Sequence, residues 1–266
     1  MLPALRNGPD MSVRHDLAAE HLAAARIAAA AGGLLRDLRG RMHAEGIDPR
    51  VMGETGDAWA DALILRRLAE QFPGDAVLSE ESADDRARGD ADRVWIVDPL
   101  DGTREFGEPG RRDWAVHVAL WQDGELCAGA VDLPALGQTL STPTVPPPAQ
   151  RRDGPLRLLV SRSRPPGMAV ALADRLGGEL VPMGSAGAKA MAVVRGEADV
   201  YAHGGGQYEW DSAAPVVVAR AAGLHTSRLD GAPLVYNRAN PWLPDLLICR
   251  SEHAARVLEA LGDVAG

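Results

Sequence analysis

The stretch from Asp16 to Met42 is rich in Ala and Leu, with Leu17, His21, Ala24 and Ile27 at helical spacing. It predicts a long amphipathic helix, with Asp10 or Ser12 available as N-cap. A polar connection follows over 43–56, then a second helix over 58–71 that stops before Phe72-Pro73-Gly74. Short apolar runs at 76–78 and 94–97 predict strands, and each runs into acidic residues. The first ends in Ser79-Glu80-Glu81, the second in Asp98-Pro99-Leu100-Asp101-Gly102-Thr103. Trp114–Trp121 and Glu125–Asp132 read as a hairpin around Gln122-Asp123-Gly124, because Asp-Gly is a strong turn signal.

Residues 141–155 hold five prolines and almost no apolar periodicity, which marks a lobe boundary. Beyond it the pattern predicts strands at 156–160, near Leu180, at 198–201 and at 246–250. Helices are predicted at 168–176, 186–195, 211–222 and 252–261, with Asp211 capping its helix. Strands and helices alternate without a clean βαβ repeat, so the expected fold is a layered α/β sandwich with mixed sheets. The expected organisation is one domain over 12–262, with lobes at 12–148 and 149–262, after a loose leader at 1–11.

With 266 residues, the chain can bury roughly 70–75% of its unfolded surface, so it needs no disulfide or structural metal to fold. Net charge is −9, which argues against a nucleic-acid polymer as partner. An acidic protein that handles phosphate must neutralise charge locally, with a metal or a few basic side chains. Arg serves almost everywhere a cation is needed, and Lys189 is the only lysine. Cys127 and Cys249 lack partners at metal-ligand spacing and read as buried free thiols. With neither a secretory signal nor an apolar run of spanning length, the chain reads as soluble and cytoplasmic, away from any membrane. A homodimer is left open.

Candidate chemistry centres on Asp57, Glu80, Glu81, Asp98, Asp101 and Asp211. Hard divalent cations want oxygen ligands, and Mg²⁺ is held by a few carboxylates plus water and substrate phosphate. In Asp98-Pro99-Leu100-Asp101-Gly102-Thr103, the proline stiffens the turn, so both carboxylates and the Leu100 carbonyl could face one ion or a pair. Gly102 lets backbone approach a phosphate, and Thr103 supplies a hydroxyl to orient water. Alone, a Glu-Glu pair is a solvated surface, Asp-Pro-x-Asp-Gly is a turn, and Trp-Asp at a helix start is a cap. Their conjunction at element ends is informative.

Ser79-Glu80-Glu81, Val97–Thr103 and Trp210-Asp211-Ser212-Ala213-Ala214 together resemble the signature of the Mg²⁺-dependent, lithium-sensitive phosphatases. That superfamily includes inositol monophosphatase, fructose-1,6-bisphosphatase and the bisphosphate nucleotidases. The resemblance covers about residues 15–255 and implies an α-β-α-β-α sandwich of the inositol monophosphatase type. It implies that Glu80, Asp98, the Leu100 carbonyl, Asp101 and Asp211 bind about two or three Mg²⁺ ions. Asp57, Thr103 and Glu80 would hold and deprotonate the attacking water, and Li⁺ would inhibit. Asp57 matches the family's further aspartate, with Asp61 as the alternative. The run Arg50–Thr55 departs from the family's pattern by placing Glu54 where a hydroxyl residue is usual.

Within that superfamily, Ser161-Arg162-Ser163-Arg164 and Gly184–Lys189 resemble segments of the bisphosphate nucleotidases, which act on 3′-phosphoadenosine 5′-phosphate (PAP). The resemblance implies removal of the 3′-phosphate from PAP, and from its sulfated precursor, in sulfate assimilation or nucleotide recycling. The small phosphorylated substrate would meet Gly102, Thr103, Ser161, Arg164, Ser185, Lys189, His203 and Asp211. Arg164 stands where that branch carries His, and His203 where some relatives carry Arg. Inositol monophosphatase or fructose-1,6-bisphosphatase activity on the same metal set is the nearest rival. A haloacid-dehalogenase-type reading fails on spacing, because two residues separate Asp98 from Asp101 where that motif has one. A scaffold without activity is disfavoured by the filled ligand positions.

Overall fold

The computed structural model describes residues 17–151, 153–163 and 165–265. The leader with Asp10, Ser12 and Asp16 lies outside them, as does Arg164.

Helix α1 (Ala18–Ala44) buries a stripe of Ala23, Ala24, Ile27, Ala28, Ala31, Leu35 and Leu38, and starts at Leu17 without a side-chain cap. Helix α2 (Pro49–Gln71) begins well before the predicted 58. Asp48 accepts the Arg50 amide at 2.9 Å and Pro49 takes the first helical position, a strong start signal. The predicted polar connection is therefore mostly helix. Its glycines are packing positions: a Cβ on Gly53 would lie 2.4 Å from Thr103 Cγ2, and one on Gly56 would lie 2.9 Å from Leu100 Cδ2.

Strands β1 (Ala76–Ser79), β2 (Arg93–Asp101), β3 (Ala115–Gln122), β4 (Glu125–Leu133) and β5 (Gln138–Ser141) form one sheet in that order. β1 and β2 are parallel and the remaining pairs antiparallel, so the sheet is mixed. The β3–β4 turn places Asp123 and Gly124 at φ +50° and +93°, as a primed hairpin turn requires. A short helix α3 (Thr103–Gly107) follows β2.

After the proline-rich segment come β6 (Arg157–Ser161), α4 (Gly167–Leu176), β7 (Glu179–Met183), α5 (Ala186–Val194), β8 (Val200–His203) and β9 (Gln207–Tyr208). Then follow α6 (Glu209–Ala221), β10 (His225–Ser227), β11 (Trp242–Leu243), β12 (Leu246–Cys249) and α7 (Ala254–Ala265). The second five-stranded sheet has the order β10-β12-β8-β6-β7, and β9 pairs with β11 apart from it. β5, β9, β10 and β11 were not anticipated, being two to four residues long. Helix α6 starts two residues before the predicted 211, so Asp211 is its third residue rather than its cap.

Layers follow from packing. Helices α1 and α2 lie against β2–β5, and α5 and α6 fill the space between the two sheets. α4 and α7 cover the outer face of the second sheet. This is the α-β-α-β-α sandwich. Of the two thiols, Cys249 is buried and Cys127 only half-buried. No helix among the described residues is long and apolar enough to cross a membrane.

Candidate active site

The end of β2 meets the starts of α5 and α6 between the sheets. The β2–β3 register shifts between Asp98 and Asp101, so the strand bulges at Pro99-Leu100. That irregularity allows both aspartates to serve one site. Asp98 Oδ1 accepts the Leu100 amide at 3.1 Å, closing the turn. Gly102 follows at φ +90°, where a Cβ would lie 3.1 Å from the Asp113 carbonyl and from Ser185 Cβ.

Carboxylate oxygens of Asp98, Asp101 and Asp211 all lie within 4.8 Å of one another. Asp98 is 1% exposed, and its Oδ2 is buried without a hydrogen-bond partner among the described residues. Burial, then the charges of Glu80, Asp101 and Asp211, push its pKa well up. Asp101 is the opposite case. The Ser185 hydroxyl and the Gly187 amide donate to Oδ2, and the Ala186 amide donates to Oδ1. Burial alone would raise the Asp101 carboxyl, but the His117 ring, Ser185 and Gly187 outweigh it and hold it at about 2. Asp211 accepts the Tyr208 amide at 2.7 Å, and burial and Asp101 raise it to about 6.

Asp57 projects from α2 toward Thr103, whose Oγ1 lies 3.5 Å from Asp57 Oδ2 and 3.1 Å from the Leu100 carbonyl. Asp57 Oδ1 is buried and has no hydrogen-bond partner among the described residues. Burial, then Glu81 and Glu80, raise this carboxyl to about 8. Asp61, one turn further along α2, faces elsewhere: Ser79 and Ser82 donate to it at 2.6 and 3.1 Å. Glu80 stands exposed after β1, outside the close aspartate trio. Desolvation of its carboxyl, then Asp211 and Asp101, raise it to about 7.

Such a cluster is costly as bare anions, and Asp57 Oδ1 and Asp98 Oδ2 are buried with no hydrogen-bond partner among the described residues. An all-oxygen set in which every carboxyl but Asp101 has a raised pKa fits a hard divalent cation, which would complete the missing coordination.

Other sequence-singled residues fall nearby with different engagements. The Ser185 hydroxyl accepts the Ala188 amide at 2.9 Å while bonding Asp101, so it caps α5. Lys189 is 6% exposed and donates to the Ser185 carbonyl at 2.6 Å, with Nζ 5.2 Å from the Tyr201 ring centroid. Burial lowers its pKa. His203 Nε2 lies 2.6 Å from the Gly205 carbonyl, and burial lowers its pKa too. Ser161 ends β6, and Arg162 beside it is bonded to Glu105 and Glu108. Asn237 accepts from buried Arg88 at 2.7 Å, and Glu209 accepts the 237 and 238 amides, fixing that loop against the start of α6.

His117 was missed by sequence reasoning. It is fully buried on β3, with Nδ1 donating to the Trp210 carbonyl at 3.1 Å and Nε2 lying 3.3 Å from Asp101 Oδ2. It ties β2, carrying Asp101, to the start of α6, carrying Asp211. Gly187 makes room for it, since a Cβ there would lie 2.0 Å from Nε2. The one available signal is a lone polar side chain in the run Ala115–Trp121.

This architecture, five alternating layers around a buried carboxylate cluster, defines an α/β protein with an acidic site able to hold a metal. The inositol monophosphatase family profile matches residues 52–146 and 156–264, and the chain belongs to that family. It is 53% identical over 242 residues to the 3′-phosphoadenosine 5′-phosphate phosphatase of Mycobacterium bovis, covering 88% of this chain and 90% of that one. It is 31% identical over 198 residues to the 3′(2′),5′-bisphosphate nucleotidase CysQ of Escherichia coli, covering 70% and 80%. Among solved structures, CysQ from Bacteroides thetaiotaomicron superposes with a TM-score of 0.71 at 27% identity, covering 87% of this chain and 97% of that one. The inositol monophosphatase of Anabaena superposes with a TM-score of 0.75 at 20% identity, covering 94% and 97%.

Proposed function

We propose that the chain is a Mg²⁺-dependent phosphatase that removes the 3′-phosphate of PAP, yielding AMP and phosphate. The observation that carries this reading is the buried carboxylate cluster, with orphaned oxygens on Asp57 and Asp98, in a chain 53% identical to a PAP phosphatase. Asp98, Asp101, Asp211, Glu80 and the Leu100 carbonyl would hold Mg²⁺. Bound there, the cation would lower the pKa of water, polarise the phosphoryl group and stabilise the departing alkoxide.

The chain's own groups supply the rest. Thr103, bonded toward Asp57, orients a water by its remaining hydroxyl capacity. In its ionised form the buried Asp57 carboxylate would take that water's proton; burial and the charges of Glu81 and Glu80, which raise its pKa to about 8, make that ionised form a strong base populated as pH rises. The water oxygen bonds to phosphorus as the bond to the 3′ oxygen breaks on the opposite side, with no phospho-enzyme. Lys189, the residue of α5 that resembles the nucleotidase pattern, would supply charge for the 5′-phosphate.

The test is phosphate release from PAP by protein stripped of metal. Activity should be absent, return with Mg²⁺, and fall in millimolar Li⁺ against a Na⁺ control. Full turnover in the presence of a strong chelator would overturn the assignment.

A further inference from the structure

The Gly204–Gly206 turn feeds β9, where Tyr208 pairs with Trp242 of β11 and Gln207 with Leu243. Directly opposed residues of an antiparallel pair share a face. One face of this ribbon is buried, with Gln207 6% and Leu243 2% exposed. The other carries Tyr208 and Trp242 at paired positions, 43% and 42% exposed. The ribbon adjoins the carboxylate cluster through the backbone of Tyr208. The Tyr208 amide donates to Asp211 Oδ2 at 2.7 Å. Its ring stacks on Trp210, with centroids 4.7 Å apart and an 8° interplanar angle. Among the described residues Trp242 takes part in no ring–ring contact.

We propose that Tyr208 and Trp242 form the platform on which the substrate's purine base stacks while its 3′-phosphate lies against the carboxylate cluster. This rests on the nucleotide reading above. In a nucleoside 3′,5′-bisphosphate only the ribose separates base from 3′-phosphate, so a base site must adjoin the cluster. The ribbon does so through the Tyr208–Asp211 hydrogen bond. Flat aromatic faces hold bases by stacking without needing a hydrogen-bond pattern, which suits a neutral shelf beside an anionic site. Sugar phosphates without a π-face gain nothing from it.

The test compares PAP with 1-deoxyribofuranose 3,5-bisphosphate, which is PAP with hydrogen in place of adenine. The readout is the ratio of kcat/KM for the two substrates. In the wild type with Mg²⁺, PAP should be favoured. Trp242→Ala should lower that ratio about 5- to 150-fold, chiefly through KM for PAP, as expected for loss of one stacking ring. Trp242→Phe should restore most of it. Tyr208→Phe should keep the ratio, and Tyr208→Ala should lower it. If the wild type hydrolyses PAP but Trp242→Ala and Tyr208→Ala leave the ratio unchanged, the platform is overturned and the nucleotide reading stands. If the wild type hydrolyses inositol 1-phosphate and not PAP, both are overturned.

Discussion

Asp98 and Asp101 lie on one strand and sit in opposite electrostatic settings. Asp101 receives three hydrogen bonds from Ser185, Ala186 and Gly187, so its charge is satisfied within the chain. Asp98 keeps an orphaned buried oxygen. Asn at either position should cut Mg²⁺-dependent turnover about 100-fold or more, since each removes a charged oxygen aimed at the cluster. Their effects on the metal-free fold should diverge. Asp98→Asn removes a carboxyl whose ionised form the metal-free fold disfavours, and should raise Tm in chelator most at high pH. Asp101→Asn weakens the bonds that cap α5 and should lower stability by about 1–3 kcal/mol. Thermal melts of both variants in EDTA check this, and equal shifts would contradict it. His117→Ala should weaken Mg²⁺ binding about 10- to 100-fold, as removal of a group that orients a ligand does elsewhere. Calorimetric titration of the metal, with circular dichroism as a fold control, reads that out.

Elements bring these residues together, and glycines set how closely. Gly53 lets α2 lie on Thr103, one turn before Asp57. Gly53→Ala should push the helix away and lower kcat about 10- to 100-fold, because small misplacements of reacting groups are costly. Initial rates at saturating substrate measure it. Gly32 and Gly33 offer a paired control on α1. A Cβ on Gly32 would lie 1.8 Å from Asp132 Oδ2, which belongs to a carboxyl already bonded to Thr139, whereas Gly33 has nothing within 4 Å. Gly32→Ala should destabilise by about 1–3 kcal/mol, and Gly33→Ala should stabilise by about 0.5–1 kcal/mol through helix propensity. Urea melts separate the two. These same glycines explain what the sequence concealed. Gly53 and Gly56 read as loop residues although they form the closest face of α2, and Asp48-Pro49 was the start signal that outweighed them. Strand ends carrying Glu80 and Asp98 were legible because apolar runs stop at acidic residues. The ribbon of β9 and β11 was not, since two residues per strand carry no periodicity. His117 carries no motif, and its role exists only once Asp101 and Trp210 are brought to it.

At the scale of the whole molecule, the cluster couples stability to pH and to cations. Asp57, Glu80 and Asp211 have folded-state pKa values raised to about 8, 7 and 6, and Asp98 is raised as well. Each is best accommodated protonated. Their contribution to stability is therefore full below the ordinary carboxylate range and is lost as pH rises through those raised values. Asp101, held at about 2, titrates below this window. Metal-free protein should lose Tm steadily between about pH 5 and pH 8, and Mg²⁺ should restore more at pH 8 than at pH 6, because cations compete with protons for the same oxygens. Calorimetric scans with EDTA or Mg²⁺ across that range would show it; a Tm in EDTA that rises over the same range would contradict it. The central claim, that this acidic site serves a nucleotide 3′-phosphate, is tested most directly by initial rates on PAP, inositol 1-phosphate and fructose 1,6-bisphosphate with Mg²⁺, with products resolved by chromatography. The account predicts that kcat/KM for PAP exceeds the others by about 10-fold or more, with AMP as the nucleotide product. A higher value for inositol 1-phosphate, or release of the 5′-phosphate from PAP instead of the 3′, would contradict it.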